Sequence, residues 1–253
     1  MPNGLSMKLQ AVAGLVVVSL AVLRNASGQD FQNLDFEQAS IAPAPSGFTP
    51  WDAYPAISAE MALPYWTVQE DGTACTAVWG APVALDQTSV ALLSPVNGYY
   101  PGYIPLLGSY SVQLYAYADV PSDYFHTASI SQTGLIPLGS KSIRFLMESP
   151  PVAGGAVQAN PIVTVNGTPI NISPMSVSGG VMTMAGNISA YAGMTVDLTI
   201  LCQATPGGFP SDENIFTLDD IQFSPSSVPE PSFFSLLTLC GLFFGLRRQC
   251  SSR

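Results

Sequence analysis

Proline punctuates this chain from end to end: 22 prolines and 22 glycines are spread over 253 residues. Proline removes a backbone donor and clashes inside a helix, so long helices have little room here. Between the breaks the apolar period is two. Tyr110–Ala118 sets Val112, Leu114 and Ala116 on one face, and Lys141–Glu148 groups Ile143, Phe145 and Met147 opposite Arg144 and Glu148. Thr195–Cys202 aligns Val196, Leu198, Ile200 and Cys202, and Ile215–Phe223 supplies a last strand. Ile162–Val165 and Thr168–Ile172 flank Asn166-Gly167, a strong hairpin signal. Short strands joined by Gly, Pro and Ser turns predict an all-β, antiparallel β-sandwich. With 47% apolar residues the chain can fill such a core.

Charge narrows the partners. Only 9% of residues are charged, against about 25% in an ordinary domain. A net charge of −10 excludes a nucleic-acid binder, which needs a basic footprint. All 17 acids lie between Asp30 and Glu230, where Lys141 and Arg144 are the only bases. Such a surface repels anionic polymers and attracts divalent cations. The single histidine, His126, excludes a multi-histidine metal site.

The two ends read as address labels. Lys8 precedes the apolar run Ala11–Leu23, and the small residues Ala26-Ser27-Gly28 follow. This is the pattern of a secretory signal peptide, residues 1–28, with Arg24 an atypical feature of the cleavage region. As a helix the run spans roughly 20 Å, short of a bilayer core of about 30 Å. At the other end Val228-Pro229-Glu230-Pro231 stops the chain, the apolar segment 233–246 follows, and Arg247-Arg248 closes it. The expectation is a signal helix in front and a short hydrophobic, membrane-seeking helix behind. The sandwich domain then occupies residues 29–226 and the tail residues 227–253.

That tail resembles the PEP-CTERM sorting signal of Gram-negative bacteria in the order of its parts. The resemblance implies an exosortase-type processing enzyme as partner and cleavage near Pro229-Glu230-Pro231. It further implies release or attachment at the cell surface or extracellular matrix, with the membrane met only transiently through 233–246.

The body carries a second, more diffuse resemblance. Asn33-Leu34-Asp35-Phe36-Glu37 opens it as a strand with Leu34 and Phe36 inward. Phe216–Phe223 closes it, its phase broken at Asp219-Asp220 as a β-bulge would break it. These motifs, with His126–Glu148 read as a strand pair, resemble jelly-roll carbohydrate-binding modules. The resemblance implies that first and last strands lie side by side. It also implies that Glu37, Asp219 and Asp220 converge on a structural calcium, a cation served by oxygen ligands.

Aromatic residues supply ligand-binding candidates, because sugar rings stack on flat faces. Tyr99, Tyr100 and Tyr103 form the best surface platform. Trp51, Tyr54 and Tyr65 also sit in loop-like contexts, whereas Trp66 and Trp79 read as core. Cys75 and Cys202 are the body's two cysteines, and export would let them pair as a disulfide or leave them as buried thiols. No Gly-x-Ser-x-Gly elbow or phosphate loop occurs. His126 reads as a strand residue, and Glu70-Asp71-Gly72 as a turn as readily as a carboxylate pair. The leading expectation is a non-catalytic, exported, exosortase-sorted protein that interacts with extracellular polysaccharide. The alternatives are a glycan-active enzyme with a carboxylate pair and a structural surface protein without a ligand.

Overall fold

The computed structural model describes residues 29–41, 56–80, 89–94, 104–119, 124–149, 160–204 and 213–228. In chain order these hold β1 (Ala56–Ser58), the one-turn helix α1 (Ala59–Ala62), β2 (Thr67–Glu70), β3 (Thr73–Ala74) and β4 (Ala77–Trp79). Next come β5 (Ser89–Leu93), β6 (Ser111–Ala116), β7 (Ala118–Asp119), β8 (Tyr124–Phe125), β9 (Thr127–Leu135) and β10 (Ser142–Glu148). The last group is β11 (Ile162–Val165), β12 (Thr168–Ile170), β13 (Ile172–Ser178), β14 (Val181–Asn187), β15 (Thr195–Gln203) and β16 (Asn214–Ser224).

Two sheets enclose one core. The larger has eight strands in the order β1-β4-β5-β6-β16-β10-β14-β13, and the smaller has six, β12-β11-β15-β9-β2-β3. Pairing is antiparallel throughout both, apart from the parallel contact of β4 with β5. The all-β sandwich is therefore as expected, with more strands than the eight of a simple jelly roll. Val112, Leu114, Ile143, Phe145, Met147, Phe216 and Leu218 of the larger sheet face Val163, Val165, Val196, Leu198 and Ile200 of the smaller. Fully burying each such side chain stabilises by about 1.5–3 kcal/mol. Asn166 and Gly167 take φ of 50° and 72°, the type I′ geometry that closes β11 onto β12.

Consecutive strands β9 and β10 do not pair with each other. They lie in opposite sheets, so the His126–Glu148 segment is a crossover between layers rather than a hairpin.

The opening motif is also not a strand. Asn33 and Phe36 adopt φ of 51° and 59°, which breaks extended backbone and makes residues 34–38 a succession of turns. Phe36 still goes fully inward, beside Trp66, whose indole N–H donates to the Asn33 carbonyl at 3.0 Å. The segment works as a strap across both sheets. The Leu135 amide donates to the Gln29 carbonyl on the smaller sheet, and the Ile221 amide donates to the Leu34 carbonyl on the larger. Gln132 serves Gln32 as a substitute strand, accepting from its amide at 2.6 Å and donating to its carbonyl at 3.0 Å. Beginning and end of the sandwich do meet, as expected, through a turn-rich strap.

The flanking helices are a correction. Residues 1–28 and 233–246 lie outside the described residues, and among the described residues no helix is long and apolar enough to cross a membrane. The physical reason is length: spanning takes about 20 apolar residues, and both runs are shorter. The expected transmembrane segment and transient inner-membrane stage therefore have no counterpart among the described residues.

Candidate functional site

The strongest constellation is one that period and motif do not disclose. β2 ends at Glu70, and Asp71-Gly72 turn the chain with φ of 50° and 72°. That turn brings Asp71 against the start of β9. Asp71 Oδ1 accepts from the Thr127 amide at 2.8 Å, and Asp71 Oδ2 lies 2.7 Å from His126 Nδ1. A carboxylate only accepts, so Nδ1 carries a proton, and Nε2 faces away from Asp71, an acceptor in the neutral form of the ring and a donor in the protonated form. The imidazole stacks on Tyr117 at 4.4 Å between centroids and meets Tyr124 edge-to-face at 4.7 Å. The β7–β8 pairing holds these rings together, with the His126 amide donating to the Tyr117 carbonyl. Tyr124 is 51% exposed. The result is a row of three rings with a carboxylate at its edge, partly open to solvent.

The neighbouring Glu70 points elsewhere. Burial pushes its carboxyl above the ordinary range, while the Cys75 thiol and the Val90 amide hydrogen-bond it. Glu70 and Asp71 thus serve different partners and do not form a carboxylate pair. Burial, then the charge of Glu70, pushes the Cys75 thiol upward too.

A second cluster joins the residues expected to hold calcium. Phe216 and Leu218 face the core, so Thr217 and Asp219 point to the opposite face of β16, which is also buried here. Asp219 is 1% exposed. Its Oδ2 accepts from the Leu107 amide at 3.0 Å and the Ser111 hydroxyl at 2.6 Å, and its Oδ1 from the Asp220 amide at 2.7 Å. Burial pushes its carboxyl from 3.8 up to about 6, with the Glu37 charge a smaller contribution in the same direction. Glu37 Oε1 accepts from the Ser109 and Tyr110 amides at 2.7 and 3.0 Å. The bulge is present: between Arg144 and Leu146 of β10, β16 carries one extra residue, and Asp220 takes φ of 49°. It turns Asp220 to Gln222, whose Nε2 donates to Oδ2 at 2.6 Å.

Glu37 and Asp219 therefore converge on the 104–111 segment, and Asp220 leaves them. Among the described residues no three His, Cys, Asp or Glu side chains group to hold a metal. The bonded oxygens face N–H and O–H donors, whose positive ends sit where a cation would need to be. These residues form a carboxylate latch on backbone amides.

Cys75 and Cys202 are free thiols. Cys202 is buried on β15 and donates to the Asn214 carbonyl, while Cys75 follows β3, with β9 and β2 between. Three strand spacings make roughly 14 Å, beyond the Cα reach of about 7 Å that a disulfide tolerates. Burial holds the Cys202 thiol protonated. Trp66 is buried in the core, as read from its neighbours, whereas Trp79 is only half-buried and outside the core cluster, and Tyr65 is exposed. Tyr99, Tyr100, Tyr103, Trp51 and Tyr54 lie outside the described residues, as do Pro229, Glu230, Pro231, Arg247 and Arg248. Val228 is half-buried beyond the end of β16. Compared with known proteins, the chain matches no family model, no curated protein and no solved structure.

Proposed function

We propose that this is an exported, non-catalytic β-sandwich protein that binds carbohydrate through Tyr124, His126 and Asp71, with Tyr117 beneath. The carrying observation is the aromatic row ending in exposed Tyr124, beside an imidazole whose orientation Asp71 fixes. A pyranose offers an apolar C–H face to Tyr124 and hydroxyls to His126 Nε2 and to the remaining Asp71 lone pairs. The excess of acids over bases disfavours polyuronic chains and favours neutral ones.

The tail reading is part of the same proposal. Among the described residues the last strand ends at Ser224, and the Ser142 hydroxyl ties the chain down at the Ser226 carbonyl, 2.8 Å away. Cleavage near Pro229-Glu230-Pro231 by an exosortase-type enzyme would leave the sandwich whole. Intact-mass measurement of the exported protein tests this, with the expected mass lacking residues after about Pro231. A mass that includes 233–253 contradicts it.

The binding experiment titrates the purified protein with neutral and uronic-acid oligosaccharides while assaying reducing ends. Saturable binding of neutral sugars with unchanged glycan is expected. Released reducing ends would favour the glycan-active enzyme, and absence of all binding the structural protein.

A further inference from the structure

β13 is the open edge of the larger sheet, and Ser173–Ser178 are all exposed. Its inner side continues the core. Met147 of β10 lies opposite Met182 of β14, which lies opposite Val177 of β13. Along that row exposure rises from Met147 at 1%, through half-buried Met182, to Val177 at 67%. An apolar row thus runs out of the sandwich into water. Among the described residues no segment pairs with the outer side of β13, so its amides and carbonyls there form an unpartnered template.

The charge pattern selects the occupant. No charged residue occurs between Glu148 and Asp197, a stretch that contains all of β11 to β14. The rest of the body carries the acids, so a basic partner is drawn elsewhere on the molecule. Two copies of this chain repel each other over their acidic surfaces and can approach closely where both lack charge. Glu148 is the nearest acid, its Oε1 close to Gly180 at the tip of the β13–β14 turn. In an antiparallel pairing each tip lies against the far end of the other strand, which keeps the two Glu148 carboxylates apart. Pro174 and the register shift between Pro174 and Ser176 blunt one half of the edge. The free ladder is Ser176–Ser178, with Val177 at its centre.

We infer that this edge pairs with the same edge of a second copy, forming a weak two-fold dimer through β13. Sedimentation velocity on the purified protein, over a concentration series at low and high salt, tests it. The dimer should strengthen with salt, because salt screens the acidic repulsion that opposes it. Val177→Lys sets a charge on each side of the two-fold axis and should weaken dimerisation by roughly tenfold or more. Its exposure makes folding insensitive to the change, and Val177→Thr should dimerise as the parent does. A protein monomeric at every concentration overturns the inference. So does an association that Val177→Lys leaves intact, or one that salt dissolves.

Discussion

Glu37 and Asp219 grip one stretch of backbone from two sides. The Glu37 carboxylate takes the amides of Ser109 and Tyr110, and the Asp219 carboxylate takes the amide of Leu107 and the hydroxyl of Ser111. One residue belongs to the strap and the other to the last strand, so the 104–111 segment is fastened to both ends of the sandwich.

Asp219 gives this latch a pH dependence. Its carboxyl is raised from 3.8 to about 6 in the folded protein, so the folded state holds the proton more tightly than the unfolded state. Stability contributed by this group is therefore greatest below about pH 4 and declines as pH rises towards 6. Thermal melts of the wild type and Asp219→Asn between pH 4 and 7 check it. The difference between their melting temperatures should change across that window and be constant above it.

Glu37→Ala leaves the Ser109 and Tyr110 amides to water. The bonds are exposed, so a loss of about 1 kcal/mol is expected. Amide exchange at Ser109 and Tyr110 should quicken, with exchange in β15 unchanged.

Gly134 is where the strap is seated. A Cβ there would stand 2.6 Å from Cγ of the Phe31 ring. Phe31 also packs on Phe223 at 5.1 Å, so the ring has little freedom to retreat. Gly134→Ala should destabilise by about 1–3 kcal/mol in chemical denaturation.

Much of the fold was legible in the sequence because burial alternates in β15 and from Ile143 to Glu148 in β10, whereas β6 is buried on both faces and keeps only its apolar alternation. Ile143, Phe145 and Met147 face one way for the reason their spacing states. The bulge at Asp219-Asp220 was readable as a break in phase, since one extra residue reverses the faces. The strap was not, because Phe36 goes inward from a left-handed turn that period two imitates over five residues. The candidate site was less legible still. His126 and Asp71 are 55 residues apart, and nothing local to either encodes their meeting. Only the β2–β9 pairing, Glu70 opposite Ala128, brings them together.

The cysteines offer an independent check on that register. Reductant should leave the melting temperature of residues 29–228 unchanged, because no bridge joins Cys75 to Cys202. Half-buried Cys75 should react slowly with a thiol reagent, and Cys202 only on unfolding.

The most direct test of the carbohydrate reading compares Tyr124→Ala and Tyr124→Phe with the wild type in titrations with a neutral oligosaccharide that the wild type binds. Tyr124 is half exposed, so neither change should alter the melting temperature by more than a degree or two. Loss of a stacking ring of this kind costs about 0.5–1.5 kcal/mol, a weakening of up to roughly tenfold for Tyr124→Ala, with Tyr124→Phe near the wild type. Unchanged affinity in Tyr124→Ala would contradict the account and remove the ring row from the binding surface.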